Sequence, residues 1–242
     1  MRKLLNANLT RIFKSKIFYY GIVFIAALAV LMVFFASDEG TFSVGIGAGM
    51  GAMMVLPMII SIISAVMILP EFSSGTIRNK IVVGHNRNAI VISWAICFSL
   101  ITAVFFVVYE AVSFLSAMVF SYDFSELKIN IVFANLLVVA VLLASNAMFS
   151  LLICTMLRDV ASIAVLFLIQ EPLAILSTLL MDFMEDNKVL TFMLRFFPQG
   201  QVQTINMTVM PDKPWLTVLC SASLGIVFLI MSIAYFKKTD LK

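Results

Sequence analysis

Residues Glu71–Arg87 read EFSSGTIRNKIVVGHNR, a short polar island between two long apolar runs. Glu71 closes the run before it and Arg87 opens the run after it. Between them Ser73, Ser74, Gly75 and Thr76 interrupt the apolar pattern with residue types favoured at helix N-caps. Ile77, Ile81 and Val82 follow at helical spacing, with Arg78 and Lys80 among them. Gly84 then offers a helix stop. The stretch predicts an amphipathic helix of about two turns, lying across the ends of two membrane spans.

Composition fixes the solvent around those spans. Hydrophobic residues make up 62% of the 242 and charged residues 12%, and mean hydropathy is +1.10. Soluble domains carry about 25% charged residues. The apolar runs reach or exceed the ~20 residues of a membrane-crossing helix, whereas barrel strands alternate over about 10. The expected fold is all-α integral membrane, a single transmembrane domain over residues 1–242. Cys97, Cys154 and Cys220 fall inside apolar runs, without the spacing of a disulfide scaffold or zinc site. They are expected as small core- or lipid-facing residues.

Outward from the island, six spans are expected. Met1–Lys16 carries five basic residues and no acid, and Leu5, Leu9, Ile12 and Phe13 line one side. That is the pattern of a basic helix lying in the membrane interface. The first span is Ile17–Ala36. The second, Thr41–Pro70, opens with Gly45, Gly47, Gly49 and Gly51, which suit either close helix packing or a flexible entry to the span. Pro57 is expected to kink it. Asn88–Phe120 is the third span and Ile129–Leu157 the fourth. Val160–Met181 is the fifth, beyond the charged turn Arg158-Asp159 and broken at Glu171-Pro172. Asp182–Pro214 contains the apolar piece Val189–Phe197, a pattern that short re-entrant helices would explain. Trp215–Phe236 is the sixth span, with Trp215 and Tyr235 as interfacial anchors. With both termini on one side, that side collects 12 of the 16 Lys and Arg residues and only three acids. The positive-inside rule then makes the termini and the island cytoplasmic and residues 182–214 external.

Catalytic material is sparse. The single histidine, His85, sits in the island, and no Ser/His/Asp set, His/Cys metal cluster or Walker motif is present. The chain is not expected to be an enzyme or to bind nucleic acid. Glu110 and Glu171 are acids within spans, where an ionisable group is costly. Each is either a structural polar group bonded to a neighbouring helix or part of a substrate path, and Glu110 lies in the outer half of its span. Asn135, Ser145, Asn146 and Gln170 are expected to hold helices together.

Over its whole length the chain resembles the membrane subunits of type-2 ABC transporters. The resemblance is carried by the basic N-terminal helix, the six-span topology, and above all the first cytoplasmic loop. There Glu71, Gly75-Thr76, Arg78, Lys80 and Arg87 match the family pattern, and Phe196-Phe197-Pro198 resembles its external segment. Asn86 departs from it, standing where serine is common, which puts the capping of the next span in question.

The resemblance implies that residues 71–87 are a coupling helix docking in a groove of a separate ATPase. Ile77, Ile81 and Val82 would fill the groove. Arg78 and Lys80 would meet acids at its rim, and Glu71 and Arg87 would fix the helix to its spans. This chain would hold no cofactor, ATP and Mg being bound by two copies of the partner ATPase. A second permease subunit, identical or related, would complete the unit in a bacterial cell membrane. The small size is similar to permeases of lantibiotic and antimicrobial-peptide immunity systems, which expel amphipathic peptides. Substrate would pass along spans two and five, near Phe42, Met50, Met53, Met54 and Phe167, with Glu110 and Glu171 as further candidates. A drug, lipid or ion exporter of the same fold, or a membrane scaffold or sensor that recruits an ATPase, are the alternatives.

Overall fold

Two stretches without glycine or proline, 87–119 and 129–157, have nothing to interrupt helical hydrogen bonding, and they form the two longest helices. In the computed structural model, which describes residues 2–35, 55–120, 128–181 and 214–238, the chain folds as α1 (Arg2–Lys14), α2 (Lys16–Phe35), α3 (Leu56–Ser73), α4 (Thr76–Val82), α5 (Arg87–Val119), α6 (Ile129–Leu157), α7 (Ala161–Met181) and α8 (Pro214–Lys238). No strand occurs among the described residues. Helices α2, α3, α5, α6 and α8, of 20, 18, 33, 29 and 25 residues, are long and apolar enough to cross a membrane. The architecture is that of an all-α membrane protein.

Helix α6 is central, packing against α3, α5, α7 and α8, while α2 lies along α5. On α2 the buried residues Phe18, Gly21, Ile25, Ala29 and Val33 form one stripe. Tyr20, Val23, Phe24 and Phe34 on its other side are exposed. A helix apolar on every side suits a hydrocarbon surrounding. Two glycines set helix spacing. A Cβ at Gly225 would stand 3.3 Å from the Ser145 Cα, so α8 approaches the backbone of α6 directly. A Cβ at Gly21 would stand 2.9 Å from the tip of Phe105, whose ring stacks on Phe18 with centroids 5.5 Å apart.

A polar seam joins α3, α6 and α7. Asn146 Nδ2 donates to Ser61 Oγ at 2.9 Å and to the Pro57 carbonyl at 3.0 Å. Ser150 Oγ lies 2.7 Å from Ser61 Oγ, and Gln170 Nε2 donates to it at 3.2 Å. Asn146 and Gln170 thus bridge helices as expected. Ser145 does not: its hydroxyl has no hydrogen-bond partner among the described residues, and its position serves the close approach of Gly225.

Several boundaries differ from the expectation. Pro57 lies in the first turn of α3, where its missing N–H is not required, rather than at a kink inside a helix. Helix α3 runs on past Pro70 to Ser73, so Glu71 sits in its last turn. Helix α7 passes through Glu171-Pro172 without a break. The glycine-rich start of the second expected span and most of the expected external segment, residues 36–54 and 182–213, lie outside the described residues. The three cysteines are all buried and free. Gly225→Leu is expected to force α6 and α8 apart at an overpacking cost of about 1–3 kcal/mol, read as a lower melting temperature in detergent. Substitution of the exposed Ile226 by Leu should leave that temperature unchanged.

Candidate functional site

The stretch after α3 reverses direction through glycine. Gly75 occupies the N-cap of α4 at φ 67° without a side-chain cap, a left-handed conformation that a Cβ disfavours. The hydroxyls of Ser73 and Ser74 bond back to the Pro70 carbonyl and close α3 instead of capping α4. Thr76 Oγ1 lies 2.7 Å from Ser74 Oγ. At the other end Gly84, at φ 95°, terminates α4 as expected. The His85 N–H donates to the Lys80 carbonyl and the Gly84 N–H to that of Ile81, the paired bonds of a Schellman stop.

Helix α4 is tied down by a buried carboxylate. Glu71 is 2% exposed. Lys80 Nζ donates to both of its oxygens at 2.7 Å. Arg11 Nη1 donates to Oε1 and Trp94 Nε1 to Oε2, each at 2.9 Å. Lys80 Nζ also donates to Asn8 Oδ1 at 2.9 Å and sits 5.7 Å from the centre of the Trp94 ring. Asn8 Nδ2 in turn donates to Ser93 Oγ at 3.0 Å. One carboxylate therefore joins α1, α3, α4 and α5. Two cations face one anion there, and Arg11, with 37% of its side chain exposed, carries the surplus toward the surface.

This arrangement corrects two expected roles. Lys80 is not a rim contact for a partner; its ammonium is spent inside the chain. Ile77, 2% exposed, and half-buried Ile81 face the helical core rather than an external groove. The side of α4 left open carries Arg78, Asn79 and Val82, continued by Val83, the two valines each 78% exposed. Glu71 does fix the loop helix, while Arg87 reaches elsewhere: its Nη1 donates to the Lys237 carbonyl of α8. Asn86 caps α5 by accepting from the Asn88 N–H, so the departure from serine keeps the cap.

Sequence reading missed Asn8, Arg11 and Trp94 as partners of this node. One signal was present: Asn8 falls on the stripe Leu4, Asn8, Ile12 that α1 buries, where a polar residue needs a partner. Phe13, expected on that face, is 47% exposed.

The remaining candidates are dispersed. Glu110 is half-buried on α5 beside an apolar groove that α5 forms with α6. Glu171 is half-buried on α7, and Phe167, on the same helix, is 48% exposed. Met53 and Met54 lie outside the described residues, as do Phe42 and Met50. No protein-family model matches the chain, and no curated protein matches it by sequence.

Removing one member of a buried ion pair strands the other, at about 3–5 kcal/mol. Glu71→Ala is expected to destabilise the protein by that order, measured by thermal unfolding in detergent. Arg78→Ala on the open face should stay within about 0.5 kcal/mol of wild type. Glu71→Gln combined with Lys80→Met should recover part of the loss, because the more deeply buried cation is removed with the carboxylate and only Arg11, 37% exposed, is left facing a neutral group.

Proposed function

We propose that the chain is the membrane subunit of a type-2 ABC exporter, with α4 as the element that engages a separate ATPase. The supporting observation is the mounting of α4. A helix of seven residues is pinned by a buried ion pair and by Ile77, and it keeps one basic and apolar side outward. A docking element needs this combination: rigid attachment to the bundle and a free surface of mixed chemistry. The partner ATPase supplies ATP and Mg; two copies act on a pair of permease subunits, identical or related. Helix α7 serves as the fifth of six spans and α8 as the sixth, both termini face the cytoplasm of a bacterial cell, and residues 182–214 form the external segment. The substrate is an amphipathic peptide or another hydrophobic molecule taken from the membrane or cytoplasm. Substrate-stimulated ATP hydrolysis separates such an exporter from a scaffold or sensor that only recruits the ATPase.

The contact on the ATPase is expected from Arg78, Val82 and Val83, with Lys80 acting indirectly by holding α4. Co-purification in detergent with a co-expressed candidate ABC ATPase is the test. Arg78→Glu/Val82→Asp should lose the ATPase while keeping the melting temperature of wild type. Lys80→Glu should lower the melting temperature as well. Retention of the ATPase by Arg78→Glu/Val82→Asp would rule out α4 as the docking element.

A further inference from the structure

The groove beside Glu110 has a volume of about 500 Å³, within the ~300–1,000 Å³ of small-molecule sites. Its walls are apolar and aromatic, with Phe106 and Phe114 from α5 and Phe133 and Leu136 from α6. Among the described residues only two polar ones line it, Glu110 and Ser113, one turn apart on α5. No described basic side chain forms an ion pair with Glu110, since the ion pairs of the described residues are both made by Glu71. The depth of the site follows from helix geometry. Glu110 lies 23 residues beyond Arg87, about 35 Å along α5, which is near the far edge of a hydrocarbon layer about 30 Å thick.

A carboxylate in an apolar setting is stabilised by a cation that brings its own apolar body, because both parts of such a molecule are then matched. The three phenylalanine rings add favourable faces for a positive charge. We propose that this groove binds a hydrophobic cation, an amphiphile whose ammonium pairs with Glu110 and whose chain lies between Phe106, Phe114 and Phe133. An anionic amphiphile would place a negative group against the carboxylate. The proposal deepens the exporter reading, on which it rests for transport, by naming the charge of the substrate class. The binding itself is testable without any ATPase.

The full chain in nanodiscs of zwitterionic lipid would be titrated with a dansylated long-chain diamine that keeps one free ammonium, and with its N-acetylated, uncharged form. Wild type is expected to prefer the ammonium form by about tenfold or more, the order of one desolvated ion pair. Glu110→Gln should bring the affinity for the ammonium form down to that of the acetylated form. Val107→Lys places an ammonium of the protein's own one turn from Glu110 and should abolish the same preference with the carboxylate still present. It also decides the matter should Glu110→Gln fail to fold. Equal binding of the two probes by wild type, or an unchanged preference in a folded Glu110→Gln or Val107→Lys, would overturn the proposal. Loss of ATPase docking in wild type with the charge preference intact would remove the exporter reading and leave the cation site standing.

Discussion

A carboxylate cannot be carried into a low-dielectric interior alone, and Glu71 is carried there with three donors. Its charge is met by Lys80 and Arg11 and its remaining lone pairs by the Trp94 indole, which is the condition for a buried ion pair to be tolerated at all. Much of the surrounding structure follows from it. Helix α4, with seven residues, is too short to persist by its own hydrogen bonds. Its place is set by the ammonium of Lys80, the burial of Ile77 and the two glycines at positive φ that bound it. Helix α1 contributes Asn8 and Arg11 and is anchored by the same group.

Helix α5 extends the consequences of that node through the bundle. Trp94, at the carboxylate, and Glu110, at the apolar groove, stand on one helix with no glycine or proline between them, about 24 Å apart along its axis. The helix buries Trp94, Phe98, Ile101, Phe105 and Tyr109 in succession, so its inner face is filled with large side chains throughout. The two buried or half-buried acids of α3 and α5 are thereby treated differently. Glu71 is saturated by its own chain, whereas Glu110 faces an apolar groove.

The helices were legible in the sequence because uninterrupted apolar runs leave a membrane chain few alternatives. Ile129–Leu157 is matched end to end, and Asn88–Phe120 is displaced by one residue. The stop at Gly84 was legible for the same local reason, a residue suited to positive φ. Which face of each helix turns inward was harder to read. In water an apolar stripe marks the core, but in hydrocarbon both faces are apolar and the stripe loses that meaning. Ile77 and Ile81 were hard to place for a separate reason: α4 lies at the ends of the spans and has one apolar stripe, and the sequence alone does not say whether the chain's own core or a partner covers it. The partners of Glu71 were hidden for a different reason. Arg11 and Trp94 lie 60 and 23 residues away, and no periodicity links residues whose meeting depends on how α1, α3 and α5 cross. Pro172 misled in the opposite direction, since neighbouring helices allow α7 to continue through it.

The seam around Ser61 has more suitors than it can serve. A hydroxyl offers one proton and two lone pairs, yet Asn146, Ser150 and Gln170 all approach its oxygen while its proton is directed at the Pro57 carbonyl. Ser150 is divided as well, with the Asn146 carbonyl 2.9 Å from its hydroxyl. The oxygen is therefore oversubscribed: three donors share two lone pairs at one node. Gln170 holds the longest of them, 3.2 Å against 2.7 and 2.9 Å for the others. Asn146 and Ser150 still join α6 to α3 when the Gln170 bond is set aside, so the hold of α6 on α3 at this seam does not depend on α7.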